Sequence, residues 1–105
     1  MNAPHFQLRY RIMVFLYAAF QEHPGAAVDI RDMEEGCRTT AKELNWNLAY
    51  LEKCGYVELG TSEIFPPYIA SLVALTATGI DLVENEEQCR QRFHMGESTG
   101  SPPSF

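Results

Sequence analysis

Few residues in this chain have chemical reach, and they are scattered. His5, His23 and His94 lie far apart in 105 residues, with no G-x-S-x-G, H-E-x-x-H or phosphate-loop pattern beside them. Cys89 and His94 offer two ligands where a structural metal site takes about four, so a partly buried thiol and a surface imidazole are the ordinary reading. Asp32, Glu34 and Glu35 fall together on one helical segment, the pattern of a solvated face. Cys37, Cys54 and Cys89 are odd in number and form no C-x-x-C pair, which fits reduced thiols in the cytoplasm. No catalytic residue, metal site or cofactor is therefore expected, and an enzyme is not.

The chain is long enough for one domain and one core. Hydrophobic residues at 46% and charged residues at 21% are ordinary globular values. Eight Lys and Arg against fourteen Asp and Glu give a net charge of -6, which excludes a strongly basic nucleic-acid binder and adhesion to an anionic membrane. The longest mostly apolar run, Ile12 to Phe20, is shorter than the roughly 20 residues a membrane span needs. The first residues show no secretory pattern, so the chain is expected to be soluble and cytoplasmic.

The elements that would carry any site follow from periodicity and punctuation. Leu8, Ile12, Leu16, Ala19 and Phe20 recur at helical steps and predict a helix over 6–22, stopped by His23-Pro24-Gly25. Ala26 to Val28 reads as a very short strand, and Asp29 as the cap of a second helix over 30–37. After the turn Gly36-Cys37-Arg38-Thr39, the capping-box pattern of Thr40 and Glu43 opens a third helix over 41–53. On that helix Leu44, Leu48 and Leu51 share one face, and Lys42, Trp46, Ala49 and Lys53 the opposite one. Gly55 ends it. Tyr56 to Leu59 and, after Pro66-Pro67, Tyr68 to Leu75 read as a hairpin with a long apolar tip. Thr76 caps a fourth helix expected to run over 77–93. Residues 1–5 are expected to form a flexible N-terminus, and 94–105 a disordered tail.

The segment Leu48-Ala49-Tyr50-Leu51-Glu52-Lys53-Cys54-Gly55-Tyr56-Val57 resembles the L-x-x-L-E-x-x-G-Y/L-V signature of winged-helix regulators. Leu75-Thr76-Ala77-Thr78-Gly79 resembles the L-T-x-x-G pattern that follows their wing. The resemblance covers about residues 6–93 and is to the MarR-like and PadR-like transcription regulators. It implies a mainly α fold with a small β-hairpin: a winged helix-turn-helix with a three-helix core, a two- to three-stranded wing and an additional C-terminal helix. It also implies double-stranded DNA as partner, a third helix that reads the major groove, and a homodimer made through terminal helices. Carried onto this sequence, Lys42, Asn45, Trp46, Asn47 and Tyr50 become the expected base-reading surface, with Thr39 and Thr40 reaching phosphates from the helix N-terminus.

Charge by segment modifies that expectation. Residues 39–54 balance Lys42 and Lys53 against Glu43 and Glu52, and residues 55–75 carry Glu58 and Glu63 with no base. A wing without lysine or arginine cannot neutralise phosphate. Its apolar tip, Ile64, Phe65 and Tyr68 with the two prolines, either docks on a partner or folds over its own core. Tyr10, Val14 and Tyr17 on the first helix, with Ile80 and Val83 on the fourth, are the expected dimer surface. The second reading of the chain is a protein-interaction module that keeps the fold, uses the apolar wing and acidic surface, and does not bind DNA.

Overall fold

Helix α1 (His5–Glu22) sets the frame of the computed structural model, which describes residues 5–63 and 65–93. Of the N-terminus expected to be flexible, 1–5, His5 belongs to α1; residues 1–4, the expected tail 94–105 and Ile64 in the wing lie outside the described residues. Leu8, Ile12, Met13 and Leu16 form the buried stripe of α1, at three- and four-residue spacing. Val14 points away from it, 41% exposed. The helix stops where Gly25 takes a φ of 91°, a left-handed conformation that costs other residues a clash at Cβ.

Strand β1 (Val28–Asp29) then runs into helix α2 (Ile30–Gly36), because Asp29 accepts the Arg31 N–H at 2.8 Å and so caps it. The turn to helix α3 (Ala41–Lys53) is closed by amide bonds from Cys37 to the Met33 carbonyl and from Thr39 to the Glu34 carbonyl. Arg38 sits between them at a φ of 56°. Thr40 accepts the Glu43 N–H at 3.3 Å, as its capping pattern predicts. Leu44, Leu48 and Leu51 are buried against α1, and Gly55 follows at a φ of 82°.

Strands β2 (Val57–Gly60) and β3 (Leu72–Leu75) pair antiparallel, and β1 adds to the far edge of β3, giving the order β1-β3-β2. The register places Val57 opposite Leu75, Leu59 opposite Val73 and Val28 opposite Val73, so these side chains share the face turned to the core. Glu58 and Leu72 occupy the other face. The β-like run at 68–75 predicted a longer strand, but only its last four residues form β3. Before it the chain leaves the ladder: the Tyr68 amide turns back to the Phe65 carbonyl, Asn45 takes the Ile69 N–H at 3.1 Å, and only Ser71 reaches back to the sheet, at the Gly60 carbonyl.

The last expected helix is two. Helix α4 (Ala77–Glu84), capped by Thr76, ends at Asn85, whose φ and ψ of -93° and 87° leave the helical region. The Asn85 side chain accepts the Gln88 N–H at 3.0 Å and starts helix α5 (Glu86–Arg92). This break lets Leu82 and then Cys89 and Phe93 all reach the core.

All three cysteines are free thiols, and their environments differ. Burial pushes Cys37 up to about 11, and raises Cys89 as well. Cys54 is only half-buried. Because the thiolate is the nucleophile, a disulfide reagent is expected to modify Cys54 rapidly in the native protein and the other two only in denaturant. Titration of thiols with and without urea checks this; rapid loss of all three would contradict the burial.

Candidate nucleic-acid interface

The N-terminal end of α3 is where exposed donors gather. Thr40 spends its side-chain oxygen on the Glu43 amide, and the amides before it are left at the positive end of the helix dipole. Arg11 of α1, Arg38 of the turn, Thr39, Thr40 and Glu43 line one shallow depression there of about 260 Å³. The Arg11 guanidinium is steadied by donating to the Cys37 carbonyl at 3.3 Å. Lys42, in the first turn of α3, is exposed, and Trp46 one turn further is 65% exposed. Glu43 is the acid among these bases.

The other expected base readers face elsewhere. Asn47 is fully buried: its Oδ1 accepts from Arg9 Nε at 2.8 Å and its Nδ2 donates to the Glu43 carbonyl at 2.7 Å. Asn45 donates to the Pro67 carbonyl at 2.8 Å and accepts from the Ile69 amide, so it fastens the wing loop to α3. Tyr50 lies under the Arg9 guanidinium, 3.7 Å from its ring centre, while its hydroxyl accepts from Arg92 Nη2 at 2.7 Å. Arg92 also donates to the Tyr56 hydroxyl at 3.1 Å and to Cys54 Sγ at 3.3 Å. These bonds to Tyr50 and Tyr56 raise the pKa of Arg92, so this clamp between α3 and α5 stays charged.

Sequence reasoning passed over Arg9, Arg11, Arg38 and Arg92. A usable signal existed for Asn47, which falls within the stripe of Leu44, Leu48 and Leu51, and a buried amide there requires a partner.

The expected interface residues are also placed. Tyr10 and Val83 pack against the core while still half-exposed, and Ile80 is half-buried. Tyr17 stacks on Phe20 with centroids 6.1 Å apart and donates to Glu84 Oε2 at 2.8 Å. Helices α1 and α4 thus pack on each other within one chain. In the wing, Phe65 is 56% exposed, whereas the Tyr68 hydroxyl makes a short hydrogen bond to Glu34 that raises its pKa. Among the described residues no group of three or more His, Cys, Asp or Glu is arranged for a metal, and no helix is long and apolar enough to cross a membrane.

No protein-family model matches the sequence, and no curated protein matches it. Solved structures do. A mutant of MepR, a MarR-family winged-helix regulator, from a multidrug resistant S. aureus clinical isolate superposes with a TM-score of 0.60 at 19% identity, over 82% of this chain and 58% of that one. The chain has the winged-helix fold. A second S. aureus MepR mutant gives a TM-score of 0.57 at 18% identity, covering 88% of this chain and 67% of the other. MepR bound to ethidium bromide gives 0.55 at 18%, with 88% and 66% covered. This winged helix therefore spans less than two thirds of the first of those chains. In the frame of the fold, α2 and α3 are the helix-turn-helix, α3 is its second helix, and β2 and β3 make the wing.

Proposed function

We propose that this winged helix is the DNA-binding domain of a transcription regulator acting as a homodimer in the cytoplasm. The observation that carries the reading is the gathering of Arg11, Arg38 and Lys42 at the N-terminal end of α3, in a chain whose net charge is -6. Local rather than bulk charge would then meet the duplex. In this reading α3 enters the major groove by its first turns. Lys42 donates to base edges, and the indole of Trp46 packs on apolar groups such as the thymine methyl. Thr39, Thr40 and the amides at the helix start take one phosphate, with Arg11 and Arg38 on its neighbours. Asn45, Asn47 and Tyr50 set the pose of the helix. The wing, lacking any base, stands off the backbone.

For two copies on a palindrome, the exposed side of α1 at Tyr10, Val14 and Tyr17, with Ile80 and Val83 of α4 at its edge, supplies the two-fold contact. The half-sites would then lie about one helical turn, 34 Å, apart.

Anisotropy of labelled duplexes from the upstream region of the chain's own gene, at about 50 and 200 mM salt, tests the reading. Binding to one fragment, weakened at higher salt, is expected. Lys42→Ala and Arg38→Ala are each expected to reduce the salt slope by about 1. Absence of binding to every fragment at low salt would sink the proposal and leave the protein-interaction module in its place.

A further inference from the structure

A cleft of about 220 Å³ opens between the β1–α2 corner and the wing loop, and none of Arg11, Arg38 and Lys42 lines it. Phe65, Tyr68, Ala70 and Leu72 give it apolar walls, and Asp29 and Glu63 stand at its rim. Phe65 and Leu72 remain 56% and 40% exposed. The Pro67 carbonyl and Ile69 amide are bonded to Asn45, the Tyr68 amide to the Phe65 carbonyl, and the Ser71 amide to the Gly60 carbonyl at 2.8 Å. These bonds, together with the burial of Ala70, fix the segment 67–71. The cleft wall formed by Tyr68, Ala70 and Leu72 is therefore set before any partner arrives, which lowers the ordering entropy that docking costs.

Volume and charge narrow the occupant. Small-molecule sites enclose roughly 300–1,000 Å³, so this cleft is sized for one side chain of a larger partner. Arg31, the base at the rim, is engaged by both carboxylate oxygens of Asp29 at 3.1 and 3.2 Å. Glu63 makes no ion pair among the described residues, and Glu34 adds a second carboxylate beside the cleft through its hydrogen bond from the Tyr68 hydroxyl. A duplex would be repelled. The chain's own residues 94–105 carry Glu97 and no lysine or arginine, so they lack the matching charge.

We infer that the wing cleft is a docking site for a protein segment presenting an apolar anchor flanked by lysine or arginine. The anchor enters between Phe65 and Leu72, and the flanking cation meets Glu63. The site does not depend on DNA binding, because it uses neither the α3 N-terminus nor Arg11, Arg38 or Lys42, and its own Arg31 is held by Asp29.

The probe is a short, labelled amphipathic peptide of leucine and lysine, with a leucine–glutamate peptide as control, titrated with the full chain by anisotropy. Binding of the lysine peptide alone is expected, weakened about tenfold by Phe65→Ser as for a central apolar contact. Glu63→Lys is expected to weaken it about threefold and flatten its salt dependence. Both residues are exposed, and circular dichroism confirms that each variant folds. No binding, equal binding of the glutamate peptide, or indifference to both variants would overturn the inference. So would sedimentation showing self-association that Phe65→Ser abolishes while the peptide fails to bind, since a second copy would then fill the cleft.

Discussion

Gly79→Ala is expected to lower the midpoint of thermal unfolding by about 10 °C, although alanine is the better helix former by about 1 kcal/mol. A Cβ at Gly79 would lie 2.2 Å from the Tyr56 carbonyl oxygen and 3.0 Å from Leu75 Cδ2. That carbonyl cannot move aside cheaply, because it accepts the Thr76 amide at 3.0 Å at the root of β2. Helix α4 would have to lift off instead. Lifting it strains the Thr76 cap, whose oxygen accepts the Gly79 amide at 3.0 Å and whose hydroxyl donates to the Gly55 carbonyl at 2.5 Å. Overpacking costs about 1–3 kcal/mol and a lost cap about 1, so a net loss of about 2 kcal/mol remains after the propensity gain. A melt followed by circular dichroism measures it; an unchanged or higher midpoint would show that α4 does not seat on Tyr56. Gly36→Ala is the comparison, since its Cβ would lie 2.4 Å from Phe15 Cε1, the outer edge of a half-buried side chain rather than a backbone carbonyl, and a smaller loss is expected.

The same position shows what the sequence could and could not convey. Gly79 stands out as part of a recurring pattern, but the reason for glycine, a carbonyl twenty-three positions earlier pressed against it, is a long-range contact. Local signals were legible: the caps at Asp29, Thr40 and Thr76 and the left-handed Gly25 and Gly55 are each decided within a few residues. Asn85 followed by Gln88 carries a cap of the same kind, and it divides what hydrophobic spacing alone joins into one helix. The run at 68–75 is apolar and β-like over its full length. Yet the partner for the Ile69 amide is Asn45, a competitor from another element that no periodicity reveals.

Asn47→Ala and Lys42→Ala are expected to separate positioning from reading on α3. Asn47 is fully buried on the leucine stripe, so its removal orphans Arg9 Nε and empties a packed site, at about 1–2 kcal/mol of stability. With Arg9 loosened, its stacking over Tyr50 weakens too, and Tyr50 is also what Arg92 of α5 grips. The helix loses its fixed pose against both α1 and α5. Affinity is therefore expected to fall about tenfold for every duplex alike, with the ratio between sequences unchanged. Lys42 is exposed, so Lys42→Ala keeps stability within about 0.5 kcal/mol while changing affinity, its salt slope and the preference at the contacted base. Urea unfolding beside duplex titrations distinguishes the two. Had residue type been the better guide than spacing, the outcome would be reversed, with Asn47→Ala leaving stability intact and altering preference. The spacing of 44, 47, 48 and 51 puts Asn47 on the packed side of α3, so under the proposed function it would act on a duplex only through where it holds the helix.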